Sequence, residues 1–499
     1  MMGFIIMEID HNEIVKSNIV SKVRMRGFPK MLTYSFSDIG SDSLYHHLYQ
    51  CIKNDIVAGT LEPGYKLPSK RTFAKNLGVS NITVENAYAQ LQSEGYIYSI
   101  PKKGFFVTKL SDITPSQLAL QPQNHSDYSF ITSQQLYQAD FVSNQTAPDN
   151  FPFSVWAKLI RETISERQKE LMQTSPSGGI LELRTSICEY LKDFRNMQVA
   201  PEQIIIGAGT EYLYGLLIQL LGHDKIYAIE NPGYQKIAKI YKNNCISFHP
   251  IPVLADGIDL DALEAVCADV AHISPSHHFP TGIVTPISKR YELLAWASRK
   301  GSRYIIEDDY DSEFRLSGKP IPTMQSIDAS EKVIYMNTFT KSLSSTIRIS
   351  YMVLPHHLLN AFYQKLGFYS CTVSNFEQYT LARFLSENYF EKHINRMRTY
   401  YRGIRDALLT AIKKSPLSSL CNISEEDAGL HFLMQVTTNQ SDDELIFHAK
   451  SCGLRISCLS QYYYDESLPI PEHILVLNYS NLTIDTVNDA VALLCKCLM

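Results

Sequence analysis

From Ser43 to Ala58 the apolar positions Leu44, Leu48, Cys51, Ile52 and Ile56 recur every three or four residues. That spacing puts them on one face of a helix, which Gly59 can end. In "LPSKRTFAKNLG", Ser69 is placed to cap a second helix, Phe73, Ala74 and Leu77 form its buried face, and Gly78 stops it. "VSNITVENAYAQLQSEG" repeats the pattern, with Ser80 as the cap, Val84, Ala87, Tyr88 and Leu91 inward, and Gly95 at the stop. "YIYSI", the turn "PKKG" and "FFVTKL" then read as a β-hairpin. Three helices and a hairpin, with two helices joined by a tight glycine turn, predict a winged helix-turn-helix domain over residues 36–108.

Residues 109–138 are rich in Gln, Ser and Pro, show no sustained period and read as a linker. Residues 1–30 carry no period either and read as a tail. Met31 is a candidate second start, and the apolar patch near residue 4 is too short and too acidic for a signal peptide. From 139 to 499 short apolar runs alternate with helical stretches: "QIIIGAG", "KIYAIE", "VAHIS", "RYIIEDD" and "KVIYMNT". Runs this uniformly apolar predict strands buried on both faces, hence a mainly parallel sheet covered by helices, an α/β domain. The expected architecture is therefore multidomain.

Composition changes this picture little. Of 499 residues, 45% are hydrophobic and 19% charged, and the net charge is only -5, so any nucleic-acid site must be local. Such a local site is present. Lys66, Lys70, Arg71 and Lys75 fall in a stretch without a carboxylate, and Lys102 and Lys103 occupy the hairpin tip. Lys70, Arg71, Lys102 and Lys103 are candidates for phosphate contacts on double-stranded DNA, and Ser80, Asn81 and Thr83, at the start of the third helix, for base contacts. The ten cysteines show no metal-type spacing, no metal set is expected, and free thiols suit a reducing cytoplasm. No run reaches membrane-spanning length.

The chemistry concentrates in five stretches of the second domain. "YMNTFTKSLSSTIRISYMVLP" sets Lys341 among hydroxyls and apolar residues, where desolvation lowers an amine's pKa and makes it a nucleophile. "GAGTEYL" is a strand-to-helix turn able to hold a phosphate. "ENPGY" ends in Tyr234, which can stack on a flat ring; "SPSHHFPTG" is another strand exit, and "IIEDDYDSEF" puts acids directly after a strand. Together they match a pyridoxal 5′-phosphate (PLP) site: Lys341 for the aldehyde, Asp308 for the pyridinium and Tyr310 for the ring hydroxyl. Gly209, Thr210, Thr338, Thr340 and Arg348 would surround the phosphate.

These motifs carry a resemblance. Residues 43–108 resemble the DNA-binding domain of GntR-type bacterial regulators, in which Arg71 fits a phosphate-contacting position and arginines often stand where this chain has Asn81 and Glu85. From residue 139 on, "IIGAGT", "EDDYDSEF", "TFTKSL", "IRISYMVLP" and "AGLHF" resemble the fold-type I aminotransferase family. The combination resembles the MocR subfamily, its GABA-responsive members most closely. The resemblance implies a homodimeric, PLP-dependent transcriptional regulator, and the linker at 109–138 is long enough for its two DNA-binding heads to reach repeated half-sites of an operator. It would sense PLP itself, or an amine or amino acid, through an external aldimine at Lys341; a working aminotransferase is the alternative. There are departures too. His277-His278 replaces the common His-Gln, "SSTIR" replaces a Pro-Gly-containing turn, and Phe279 stands where catalytic aminotransferases carry the asparagine of "NPTG". Lys236 and Gln461 align with the arginines that hold the effector carboxylate in the GABA-sensing pattern. Lysine loses the bidentate fork and glutamine loses the charge as well, so GABA is not carried over as the effector.

Overall fold

Single hydroxyls set two helix starts near the N-terminus. Ser69 Oγ accepts from the Thr72 N–H at 3.2 Å, and Ser80 Oγ from the Thr83 N–H at 3.1 Å. Between them Gly78 takes φ 69°, a left-handed turn that favours glycine. The computed structural model describes residues 32–36, 43–110, 137–143, 148–316, 321–427, 429–464 and 469–499. The chain divides into two units, residues 1–133 and 134–499.

The first unit contains α1 (Leu44–Val57), α2 (Lys70–Leu77), α3 (Asn81–Ser93), β1 (Ile97–Ile100) and β2 (Gly104–Val107). Leu48, Ile52, Phe73, Val84, Tyr88 and Leu91 form its buried core. The strands pair as an antiparallel hairpin, Ile97 opposite Val107. This is the expected winged helix-turn-helix order. Leu32, Tyr34 and Phe36 also pack on that core, and Tyr34 Oη donates to Asp55 at 2.7 Å, so the packing begins ahead of residue 36. The expected tail, 1–30, and residues 111–136 of the expected linker lie outside the described residues.

The second unit opens with β3 (Ala139–Asp140), α4 (Phe153–Glu166), α5 (Gln168–Leu171) and α6 (Leu181–Arg195). Strands and helices then alternate through β4 (Ile204–Gly207), α7 (Thr210–Leu221), β5 (Tyr227–Asn231), α8 (Gln235–Asn243), β6 (Phe248–Leu254) and β7 (Gly257–Ile258). Next come α9 (Leu260–Ala265), β8 (Val270–Ile273), α10 (Ile287–Ser298), β9 (Tyr304–Asp308), β10 (Val333–Thr338), α11 (Phe339–Ser342) and β11 (Ser350–Val353). The remainder is α12 (His356–Leu366), α13 (Asn375–Ser386), α14 (Tyr389–Lys414), β12 (Cys421–Ser424), β13 (His431–Val436), α15 (Asp442–Ser451), β14 (Leu454–Arg455), β15 (Ile474–Asn478) and α16 (Val487–Leu498).

The main sheet has eight strands in the order β4-β11-β10-β9-β8-β5-β6-β7. β10, β9, β8, β5 and β6 are parallel to their neighbours in that row, while β11 runs antiparallel to both β10 and β4. Every residue of β4, β5, β8, β9 and β10 is buried, as strands covered on both faces require. Alternation along β9 shows the two covers: Ile305 joins the core of Leu293 and Trp296 from α10, and Ile306 that of Leu213 and Leu217 from α7. A smaller antiparallel sheet, β12-β13-β15, packs against α14, α15 and α16, and β3 pairs in parallel with β14. Just past β9, Asp309 accepts from Arg195 and from Tyr335 Oη, both at 2.7 Å, in a buried network. Removing one partner of such a pair costs about 3–5 kcal/mol, so this network anchors the strand end where the chemistry sits.

Candidate functional site

The parallel strands release their side chains at one end of the sheet, where an open α/β sheet gathers ligands. β4 ends in the turn to α7, in which Gly209 has φ 96°, and a Cβ built there would lie 2.5 Å from Arg348 Nη2. Only glycine lets that arginine approach the first turn of α7. Arg348 leads into β11, and its Nη2 donates to Glu211 Oε2 at 2.6 Å. Lys236, in α8, bonds the other oxygen of the same carboxylate. Thr338, at the end of β10, accepts from Ser350 Oγ at 2.7 Å and from the Thr340 N–H at 3.1 Å, which fixes both threonines.

Asp308 ends β9. Its Oδ2 accepts from Tyr214 Oη and lies 3.6 Å from His272 Nε2, while Oδ1 is buried with no hydrogen-bond partner from the protein. Lys341, on the single turn of α11, has its Nζ 5.8 Å from the Tyr310 ring centroid. Burial pushes the lysine down to about 8, against the pull of Asp311 and Asp308. Tyr310 Oη lies 3.2 Å from His277 Nδ1, itself 2.8 Å from Asp311 Oδ2. Glu230, at the end of β5, is pushed up to about 8 by burial, although the Ser274 N–H donates to it at 2.9 Å.

Most of these groups, though not His277 or Ser350, line one cavity of about 390 Å³, within the usual range for small-molecule sites. Of the residues expected at the coenzyme, Thr210, Tyr234, Asp308, Tyr310, Thr338, Thr340, Lys341 and Arg348 line it, and Gly209 lies against Arg348 behind it. Lys236 lines it too, already paired. Gln461 is placed differently from the effector-binding expectation. Its side chain accepts from the Cys458 N–H at 3.3 Å and is not part of the lining, because the 3-10 turn at Leu459–Tyr462 uses it as a local cap. Sequence reasoning passed over Glu211, Tyr214, Glu230, His272 and His431, all in the lining. Glu211 and Glu230 fall within "GAGTEYL" and "ENPGY", so their positions beside the glycine turn and the strand end are the signal that marks them. A planar cationic nitrogen suits the unpartnered Asp308 oxygen, and a phosphate suits the turn that only glycine permits beside Arg348, so the residues fit PLP.

In the first unit Arg71, Ser80, Asn81, Lys102 and Lys103 are exposed and Thr83 is half-buried. Lys70 is committed elsewhere: its ammonium bonds Glu85 at 2.6 Å and lies 5.6 Å from the Phe105 ring centroid. The Ser80 hydroxyl serves as the α3 cap. Ile82, on the first turn of α3, is 67% exposed.

Residues 44–107 match the bacterial regulatory proteins of the gntR family, and residues 138–462 match aminotransferase class I and II. The chain is thus a gntR-type helix-turn-helix unit joined to an aminotransferase-fold unit. It is 38% identical over 425 residues to the uncharacterized HTH-type transcriptional regulator YdeL of Bacillus subtilis, covering 84% of this chain and 90% of that one. It is 30% identical to the probable rhizopine catabolism regulatory protein MocR of Rhizobium meliloti, covering 90% of this chain and 92% of that one. Among solved structures, an archaeal alanine:glyoxylate aminotransferase shares the fold, with TM-score 0.64 and 22% identity over 73% of this chain and 90% of that one. The chain belongs to the MocR-type HTH transcriptional regulators. No helix among the described residues is long and apolar enough to cross a membrane.

Proposed function

We propose that the second unit binds PLP through Lys341 and reports to the DNA-binding unit either the coenzyme or an amine or amino acid that reacts there. The carrying observation is the buried, unpartnered oxygen of Asp308 in the same cavity as Lys341. In this reading Asp308 holds the pyridine nitrogen, Tyr310 the ring hydroxyl and Tyr234 the ring face. Gly209, Thr210, Thr338, Thr340 and Arg348 hold the phosphate. When bound, the coenzyme supplies an electrophilic carbon and an electron sink. Burial of Lys341 leaves roughly a tenth of its amine neutral at pH 7, ready to attack, given its pKa of about 8.

In the first unit Arg71, Lys102 and Lys103 contact phosphates of double-stranded DNA, joined by Lys70 when it leaves Glu85. Ser80, Asn81 and Thr83 meet base edges at the start of α3. The protein acts in the cytoplasm as a homodimer on an operator with repeated half-sites. Footprinting of wild type and Lys341→Ala, with and without PLP and candidate amines, tests this. Identical footprints in every state, with normal regulation by the variant in cells, would sink it. Steady keto-acid production without DNA affinity would instead support a working aminotransferase.

A further inference from the structure

We infer that the small molecule received beside the coenzyme is a primary amine with an apolar or aromatic tail and no carboxylate. This rests on the coenzyme reading above and narrows its choice of amine or amino acid. Among the described residues the lysines and arginines of the lining are Lys236, Lys341 and Arg348. Lys341 is the reacting group. Arg348 and Lys236 share the Glu211 carboxylate at the start of α7, the end of the cavity assigned to the phosphate. Neither is left for a second anion.

The histidines do not replace them. Burial and neighbouring His277 push His431 well below its usual range, so it is neutral near pH 7. His272 Nδ1 lies 2.7 Å from Tyr241 Oη, and its Nε2, without a hydrogen-bond partner, lies 3.6 Å from Asp308 Oδ2, where a second anion would meet a like charge. Phe141, Phe279, Leu430, Tyr462 and Val476 supply apolar and aromatic surface to the lining. Phe279 meets the rings of Tyr462 and His431 edge-on, at 5.1 and 5.3 Å between centroids. The Tyr462 hydroxyl is 3.0 Å from Ser457 Oγ, already partnered. Glu211, Asp308 and Asp311 in the same lining offset the three cations. The lining thus offers no net positive field to a second anion, and the carboxylate of an α-amino acid, one carbon from the reacting nitrogen, is desolvated without a free cation to pair it.

The test compares three probes of one side chain on PLP-loaded full-length protein: phenethylamine, L-phenylalaninamide and L-phenylalanine. Each is titrated against the visible spectrum of the lysine-bound coenzyme and, separately, against the melting temperature. Phenethylamine and phenylalaninamide should perturb both readouts at concentrations at least about tenfold below phenylalanine, since only phenylalanine buries an unpaired anion. The amide separates loss of charge from loss of bulk. A loaded protein that answers phenylalanine as readily as the other two, or answers none of the three, overturns the inference while the coenzyme reading stands. If PLP yields no lysine-dependent visible band, with Lys341→Ala as the blank, the coenzyme reading fails and this inference falls with it.

Discussion

Replacing Asp308 by asparagine should move coenzyme affinity and apo stability in opposite directions. Its Oδ2 accepts from Tyr214 Oη, and its Oδ1 is buried without a partner. Asparagine keeps an acceptor for Tyr214 and removes the charge, so the apo unit is relieved of a desolvated carboxylate, offset only by the 3.6 Å contact with His272 and a buried amide N–H2. The melting temperature of Asp308→Asn without PLP should equal or exceed that of wild type. With PLP the change is the reverse: a charge-assisted hydrogen bond, worth about 1.5–3 kcal/mol, becomes a neutral one at best. The loss, about 1–1.5 kcal/mol if a neutral bond remains and up to about 3 kcal/mol if none does, corresponds to a roughly 5- to 150-fold rise in the Kd for PLP. Titration of visible absorbance gives the Kd, and scanning calorimetry of the apo protein gives the stability. A Kd within about twofold of wild type would show that Asp308 faces no cationic nitrogen. A clear fall in apo melting temperature would show that the carboxylate is structural.

Four further outcomes are expected. Burial holds Lys341 near 8, below a free lysine, so the rate of PLP capture should climb with pH and level off above about 9; a flat profile across this range would refute an active neutral amine. Glu211→Gln should tighten PLP roughly two- to fivefold, measured by the same titration, because it removes an anion bonded to Arg348 at a pair worth about 0.5–1 kcal/mol; weaker binding would mean that Glu211 orients the arginine. Arg71→Ala should lower the salt slope of DNA binding by roughly one unit at all sequences, while Asn81→Ala should cost about 1–3 kcal/mol at one base pair, both read from binding titrations. Glu230, pushed up to about 8, keeps its proton longer in the folded chain, so its contribution to stability is lost as pH rises through about 8; Glu230→Gln should melt higher than wild type at about pH 9 and little differently at about pH 5.

What could be read from the residues followed from how local each signal was. Ser69, Gly78 and Ser80 set helix ends through bonds spanning three or four positions, and the helices fall where those residues put them. The buried strands were visible as unbroken apolar runs, since β4, β5, β8, β9 and β10 are covered on both faces. β6 was not, because "FHPIPVL" carries Pro250 and Pro252, which argue against a strand, and its place next to the short antiparallel β7 tolerates them. The antiparallel β11 between β4 and β10 was hidden as well: its residues read as a motif around Arg348, and no local pattern fixes a partner 143 positions away, Ser350 with Gly207. The roles of Glu211 and Lys70 depend on partners from distant segments, Arg348 and Glu85, and so needed the fold.

Unsatisfied polar atoms are uncommon in native interiors, and here several gather at the ends of β8 and β9. His272 Nε2, His277 Nε2, His278 Nε2 and Asp308 Oδ1 all lack a hydrogen-bond partner from the described protein. Burial and His277 drive His278 down to about 3, and burial drives Glu230 up to about 8, so both are held neutral near pH 7. A fold selected for stability alone would fill these positions with apolar side chains, as it does earlier along β9, at Ile305 and Ile306. Buried groups that contradict the local rules mark where binding was favoured over packing. The disagreement begins at Glu307 and Asp308, where β9 stops being core and becomes the floor of the cavity. That boundary locates the chemistry independently of any motif, and it falls at the carboxylate whose replacement separates affinity from stability.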